Sequence, residues 1–323
     1  LAGDGPHARL IPPRRDGSRR PLPHRRRTRT VQAQNFQTVG LIGKYGDPQV
    51  SESVAHLVEM LAAEGVTVLV ERATAGSLPT GAAQEPASLA AIGNRADLAI
   101  VVGGDGTLLG AARHLCEFEI PIVGVNLGRL GFLTETSLAN IEDSLENLLA
   151  GAYQVEERMM LHVRVQRQAG DLAVERAFND VVIHRGNIAR MVEMQTYVDG
   201  LFVFSQRSDG LIVASPTGST AYALSAGGPI VHPSMRAFTL VPVCPHTLTN
   251  RPLILPGHSH IEVLLTNNPG EVQLTLDGQT NFALQDGDRI HVQRDEHTVH
   301  LLSDPGRSYF DVLREKFSWG ERN

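Results

Sequence analysis

Residues 98–112 narrow the fold of this chain more than any other segment. An apolar run of strand character, Leu98-Ala99-Ile100-Val101-Val102, passes straight into Gly103-Gly104-Asp105-Gly106-Thr107, and helical spacing follows at Leu108, Leu109, Ala111 and Ala112. With a second apolar run at 121–125, this order of strand, glycine turn and helix is met most economically by parallel strands joined through helices. In such a sheet ligands bind at the carboxyl ends of the strands, and glycines there let backbone N–H groups approach a phosphate with no Cβ in the way. Asp105 departs from that logic. A carboxylate at a phosphate-binding helix start repels the ligand, so it either holds a divalent cation on the phosphates or accepts a proton from a sugar hydroxyl. The plainer alternative is a tight turn in which Gly-Asp-Gly caps the helix. A Walker loop is excluded, because no Gly-Lys-Ser/Thr ending follows.

The rest of the first half repeats the alternation. Residues 39–43 read as a buried strand running into a loop through Gly46. Val50, Val54, Leu57, Val58 and Leu61 then keep helical spacing until Gly65, and 66–70 form a strand rich in β-branched residues. A helix over 138–149 closes this half. After Gly151 the pattern turns to strands, at 162–165, 181–183, 194–198, 260–266, 272–276 and 289–292, with Asp286-Gly287 as a hairpin turn. Residues 309–317 read as a helix packing back on the first half. The expected fold class is α/β + β, and at 323 residues two domains are the natural count. The expected division is a disordered Arg/Pro-rich extension over 1–35, a Rossmann-like parallel-sheet domain over 36–150, a mainly β, sandwich-like domain over 151–300 and a C-terminal helical segment over 301–323.

Charge and cysteine content remove several function classes. The net charge of −6 conceals Arg9, Arg14, Arg15, Arg19, Arg20, Arg25, Arg26, Arg27 and Arg29 in the opening segment, alongside Pro12, Pro13, Pro21 and Pro23. That segment has no apolar period and is expected to be dispensable rather than a nucleic-acid tail or a targeting helix. The body is acidic, and no nucleic-acid partner is expected. No stretch approaches the roughly 18 consecutive apolar residues of a membrane span. The two cysteines, Cys116 and Cys244, lack zinc-ligand spacing, and the scattered histidines form no ligand cluster. A soluble, cytoplasmic protein with no membrane partner is the expectation.

A second and richer signal runs through Ser208-Asp209-Gly210, then Ser215-Pro216-Thr217-Gly218-Ser219-Thr220-Ala221-Tyr222, and on past Ser225 to Gly227-Gly228-Pro229. Residues 211–214 read as a strand, Pro216 and Gly218 shape a turn, and Ser219 or Thr220 caps a short helix that the glycines and Pro229 end. Small hydroxyl residues at a helix start suit a ribose or an amide, and Tyr222 offers a ring face for stacking, although Ser and Thr are also ordinary caps. Asn179-Asp180 precedes the strand at 181–183, where an amide beside a carboxylate can grip ribose hydroxyls or an exocyclic amine; alone, the pair reads as a turn. Asn126-Leu127-Gly128-Arg129-Leu130-Gly131-Phe132-Leu133 is either a glycine-rich ligand loop or a structural bend.

Together these segments resemble the NAD kinase family from about Phe36 to the C-terminus. The Gly-Gly-Asp-Gly motif is shared with diacylglycerol and sphingosine kinases and, more loosely, with phosphofructokinases, whereas the 208–229 stretch singles out NAD kinases. Residues 126–133, Val241-Pro242, Pro245-His246-Thr247-Leu248 and Arg251-Pro252 also match the family pattern. The resemblance implies phosphoryl transfer from ATP to the 2′-hydroxyl of the adenosine ribose of NAD, giving NADP. It implies that Asp105 is the proton acceptor, and that Gly106, Asn179, Asp180, Asp209, Thr217, Thr220, Ala221, Tyr222, Ala223, Leu224 and Ser225 line the dinucleotide site. Arg190, Arg207 and Gln279 complete that set. Asn-Asp stands here where the family usually has Asn-Glu. The resemblance further implies a divalent cation such as Mg²⁺, with no ligands assigned, and a homodimer or homotetramer whose subunits share the site. Transfer would be direct and in line, without a phosphoenzyme. A lipid kinase would need an apolar or basic membrane-docking face, which the folded region does not offer. A non-catalytic NAD or NADP sensor is disfavoured by the intact motif, and a dehydrogenase by the lack of Gly-x-Gly-x-x-Gly after the first strand.

Overall fold

The computed structural model describes residues 36–78, 84–128, 131–137, 140–168, 170–186, 191–247, 249–267 and 270–320. The expectations for the extension over 1–35, for Arg129, Leu130, Arg190 and Leu248, and for a helix beginning at 138 fall outside them. The first half alternates strands and helices: β1 (Thr38–Gly43), α1 (Pro48–Ala63), β2 (Thr67–Glu71), α2 (Arg72–Ala75), β3 (Glu85–Ala87), α3 (Leu89–Arg95), β4 (Leu98–Val102), α4 (Asp105–Leu115), β5 (Ile122–Asn126), β6 (Thr136–Ser137) and α5 (Ile141–Leu149), of which α2, β3, α3 and β6 were not expected from the sequence. The first helix shows why the local sequence folds this way. Asp47 accepts from the Gln49 N–H, Pro48 needs no N–H at the first position, and Val50, Val54, Leu57, Val58 and Leu61 make one buried stripe.

The first five strands are parallel and stand in the order β3-β2-β1-β4-β5. One sheet face is covered by α1 and α5, the other by α3 and α4. The strand order reverses between β1 and β4, and the Gly103 turn leaves β4 at that reversal. There the Lys44 N–H, at the end of β1, donates to the Val102 carbonyl at 3.1 Å. A doubly wound sheet offers its ligand crevice at this point.

The second half is mostly antiparallel: β7 (Gln154–Arg167), β8 (Gly170–Ala177), β9 (Asp180–Arg185), β10 (Val192–Val198), β11 (Leu201–Ser208), β12 (Gly210–Ala214), α6 (Tyr222–Ser225), β13 (Ala237–Val243), β14 (Leu253–Pro256), β15 (Ile261–Leu265), β16 (Val272–Leu276), β17 (Thr280–Leu284), β18 (Arg289–Ser303) and α7 (Tyr309–Phe317). A six-stranded sheet, β14-β13-β12-β9-β16-β17, packs on the face made by β7, β10, β15 and β18, with Leu161, Val163, Ile183, Leu211, Val213, Phe238, Leu274, Ile290 and Val292 between them. The larger sheet has 12 strands because β18 pairs β15 in an antiparallel sense and then continues to lie parallel to β5, with Leu301 opposite Ile122. The antiparallel partner β7 follows it through both parts. The end of β18 thus joins the first sheet, the helix expected over 309–317 is present as α7 and sets Phe317 5.9 Å from Phe132, and the expected α/β + β architecture is the observed one. Among the described residues no helix is long and apolar enough to cross a membrane.

Two local expectations are corrected. Asp286-Gly287 is not a hairpin turn, because β17 and β18 belong to different sheets and the turn carries the chain from one to the other. An Asp-Gly hairpin turn does occur at Asp199-Gly200, a two-residue loop, and at Asp277-Gly278, the first two residues of a three-residue loop that ends with Gln279; both residues of each pair have positive φ (52° and 78°; 51° and 67°), the conformation whose twist matches paired strands. Nor do Ser219 or Thr220 cap α6, which has no side-chain cap. Their hydroxyls turn back to the Pro216 carbonyl (2.6 Å) and the Thr217 carbonyl (3.3 Å).

Candidate active site

Helix α4 begins with Gly104 as its N-cap and no side-chain cap, so its first amides are left for an anion. Asp105 opens the helix, but its carboxylate is turned aside. Its Oδ2 accepts the Phe132 N–H at 2.9 Å, while Oδ1 accepts the Leu133 N–H (3.1 Å), the Thr134 N–H (3.2 Å) and the Thr134 hydroxyl (3.1 Å). The carboxylate is thereby held by backbone amides of Phe132, Leu133 and Thr134. Phe132 and Leu133 at the end of the glycine-rich segment, with Thr134 just beyond it, wrap the carboxylate. Gly131 is required for the approach, since a Cβ there would lie 1.9 Å from Asp105 Oδ1.

A cavity of about 680 Å³ opens nearby on the six-stranded sheet, lined by Asn179, Asp180, Asp209, Ala221 and Tyr222 together with His184, Thr275, Cys244, Asp277 and Gly278. A second cavity of about 240 Å³, beneath α5, is lined chiefly by apolar side chains such as Leu57, Ile100, Val123 and Leu148 and gathers none of the candidate residues. The 215–218 turn is locked onto the Asn179 segment. The Ser215 N–H donates to the Asn179 carbonyl at 2.8 Å and the Ser215 hydroxyl to the Phe178 carbonyl at 2.6 Å, and Gly218 lies so close that a Cβ would sit 2.1 Å from the Asn179 oxygen. The Thr217 hydroxyl is buried and has no hydrogen-bond partner among the described residues.

The charge in this cavity is unusual. Asp277, with its side chain wholly buried, accepts the N–H groups of Phe178 (2.9 Å), Asn179 (2.7 Å) and Asp180 (3.2 Å), a nest of successive amides around one carboxylate. Burial, and then the neighbouring charge of Asp277, push the Asp180 carboxyl up to about 7. Burial also raises Asp277, against the pull of those amides and of Arg113.

Of the residues singled out from sequence, Asn179, Asp180, Asp209, Ala221 and Tyr222 share the cavity, and Thr217 is not among its lining residues. Gln279 joins the cavity to the glycine motif, donating from Nε2 to the Gly106 carbonyl at 2.6 Å. Arg207 lies on β11, paired with Glu193 at 3.0 Å. Ala223 is buried against Val182, Ile212, Ala214 and Val241, whereas Thr220 and Leu224 are half-buried and Ser225 is exposed. Sequence reasoning missed Thr134, Arg113, His184, Thr275, Cys244 and Asp277. Of these, Asp277 carried a usable signal, as the Asp of an Asp-Gly turn directly before Gln279. Among the described residues no group of three or more His, Cys, Asp or Glu side chains is placed to hold a metal ion.

A parallel sheet with a glycine turn at its switch point, joined through Gln279 to a β-sandwich that carries a cavity with Asn179, Asp180 and Asp209, defines a nucleotide-handling enzyme of the α/β + β class. The comparisons narrow this. Residues 39–153 match the family model for the ATP-NAD kinase N-terminal domain, and 178–303 match that for the ATP-NAD kinase C-terminal domain. The NAD kinase of Magnetococcus marinus is 46% identical over 289 residues, covering 88% of this chain and 95% of that one. The NAD kinase of Aromatoleum aromaticum is 47% identical over 287 residues, covering 89% and 95%. Among solved structures, yeast NADH kinase complexed with NADH superposes with a TM-score of 0.81 at 27% identity over 90% of each chain. An NAD kinase from Archaeoglobus fulgidus in complex with ATP gives 0.69 at 27% identity, covering 88% of this chain and 100% of that one. The chain belongs to the NAD kinase family.

Proposed function

We propose that Asp105 is the general base of this family member's reaction, taking the proton of the adenosine ribose 2′-hydroxyl of NAD as the γ-phosphoryl group of ATP is transferred to that oxygen. The observation that carries this is the disposition of its carboxylate. Oδ1 has three donors and Oδ2 only one, so Oδ2 keeps a lone pair while the loop at 131–134 fixes its direction. The phosphorus–oxygen bond to ADP breaks, the bond to the 2′-oxygen forms, and the proton stays on Asp105. Asn179, Asp180, Asp209 and Tyr222 hold the dinucleotide from the cavity, Thr217 offers it a buried hydroxyl, and the uncapped start of α4 faces the phosphates. Ala221 and the residues that follow it through Ser225, with Arg190, Arg207 and Gln279, complete the proposed surround.

The donor set suits a divalent cation that arrives on the ATP phosphates better than one caged by protein, since magnesium sites of this kind use one or two carboxylates and retain water. When bound, Mg²⁺ would neutralise charge on the phosphate oxygens. The proposal includes a cytoplasmic setting and a homodimeric or homotetrameric assembly, for which edge strand β11 offers the exposed apolar side chains of Leu201, Phe202 and Val203.

Asp105→Asn tests the base. In an assay that couples NADP formation to an NADP-specific dehydrogenase, the variant should still bind NAD but lose about 10²- to 10⁴-fold in kcat. Turnover equal to the parent would remove Asp105 from the chemistry.

A further inference from the structure

We propose that Arg113 and Asp277 are positioning residues for phosphoryl transfer, fastening the helix that begins with Asp105 to the segment that carries Asn179 and Asp180. The inference rests on the roles given above to those three residues. Arg113 lies in the last turn of α4, its side chain 13% exposed, and reaches across to the β16–β17 turn. There it donates to Gln279 Oε1 at 2.6 Å and Thr280 Oγ1 at 3.2 Å, with Nε 3.7 Å from Asp277 Oδ2. The Asp277 carboxylate gathers the amides of Phe178, Asn179 and Asp180, and Gln279 returns to the first turn of α4 through the Gly106 carbonyl. Gly106, Gly110 and Arg113 fall on one stripe of the helix. Where Cβ atoms would stand at the two glycines, the Gln279 amide lies 3.5 and 3.6 Å away, so no side chain separates it from the helix.

This arrangement is a costly way to pack two surfaces, because a buried ion pair seldom stabilises more than apolar side chains of the same volume. What it provides is direction. Helix α4 is built on the parallel sheet and the 277–280 turn on the six-stranded sheet, so the base and the dinucleotide cradle have separate foundations. In-line transfer is sensitive to about 1 Å of misplacement between them, at a cost of about 10²-fold. Six hydrogen bonds and an ion pair between named atoms fix that relation, with three of the bonds and the ion pair reaching α4 at both ends of one helix face.

The experiment uses the full chain and its Arg113→Met, Arg113→Lys and Asp277→Asn variants, with Asp105→Asn alongside. The readouts are kcat, KM for ATP and NAD, NAD affinity by calorimetry, and the melting curve. At temperatures where each is fully folded, Arg113→Met should lose about 30-fold or more in kcat with KM for ATP within about threefold, since placement rather than ATP binding is damaged. Arg113→Lys should recover part of the loss through the one or two acceptors an ammonium can reach. Asp277→Asn should weaken NAD binding about tenfold, because its amide turns a donor toward the Phe178–Asp180 nest. Parental kcat in folded Arg113→Met, or a loss that follows the unfolded fraction and vanishes on cooling, would overturn the proposal. Parental turnover in Asp105→Asn would instead unseat the base and leave the Arg113 variants as judges of the positioning role. If the parent made no NADP, unchanged NAD affinity in Asp277→Asn would overturn it by itself.

Discussion

At the scale of single residues, Asp180 sets a test of the cavity that needs no substrate. Its carboxyl is held up to about 7 by burial and by Asp277, against an ordinary value of 3.8. The sign follows from linkage: the folded chain keeps this proton where the unfolded chain has released it. The stability so gained is complete below about pH 4 and is lost as pH rises through the folded value near 7. Asp180→Asn has no proton to lose. Urea titrations at pH 5 and pH 8 should therefore show the parent losing stability with rising pH by on the order of 2 kcal/mol more than the variant. Because Asp277 is raised in the same direction, the variant should retain some pH dependence. Equal slopes in the two proteins would mean that Asp180 is ionised throughout. The contrast between these two aspartates also shows what a sequence can disclose. Asp180 was visible beside Asn179 as a polar pair at a strand start, whereas Asp277 acts on amides 97 to 99 residues away, a relation that exists only once β9 and β16 have paired.

At the scale of elements, the glycine turn and α4 were legible because their physical demands are local: an apolar strand, a backbone free of Cβ atoms and a helical stripe. Strand β8 was not, because its Leu172 and Val174 are exposed and it shows no clear alternation of buried and exposed positions. Strand β3 is too short, at 3 residues, to show any period. The Asp286-Gly287 error had a different cause. An Asp-Gly turn specifies a reversal of direction, and only the sheet assignment decides whether the next strand pairs with the last. The loop after β5 joins what was legible to what was not, since its glycines were evident and the carboxylate it wraps was not. Gly131→Ala would place a methyl group where the Asp105 carboxylate now lies, at 1.9 Å from Oδ1. We expect it to cost about 1–3 kcal/mol by forced displacement, and to lower kcat more than it raises KM for NAD, because the carboxylate and its loop must separate. Thermal melts and steady-state kinetics would check both halves. A fully active Gly131→Ala would show that the clasp on Asp105 is incidental to turnover.

At the scale of the whole molecule, strand β18 decides how the two halves behave. Its first part closes the sandwich core through Ile290 and Val292, and its last part closes the parallel-sheet core through Val299, Leu301 and Leu302, with β7 paired alongside both. Between them the register shifts from Arg294 to Thr298, where buried Asp295 accepts the His297 N–H at 2.9 Å and pairs with Arg176 Nε at 3.0 Å, so the strand can bend from one core into the other without leaving the ladder. Beyond it α7 brings Phe317 to 5.9 Å from Phe132, in the loop that holds Asp105, and Trp319 to 5.1 Å from Phe317. Neither half can open without breaking this shared ladder, which makes a single cooperative transition the expectation even for a chain of 323 residues. The lone tryptophan reports on the C-terminal docking and far-UV circular dichroism on the sheets, so their urea midpoints should coincide. Leu301→Ala, which empties a position opposite Ile122, should move both midpoints together by about 2–4 kcal/mol of stability. If Trp319 fluorescence instead changed at a lower urea concentration than the circular dichroism, α7 would be an independently unfolding segment. The clasp on Asp105 would then be open to control by the docking of that segment, with no need for the sheets to unfold.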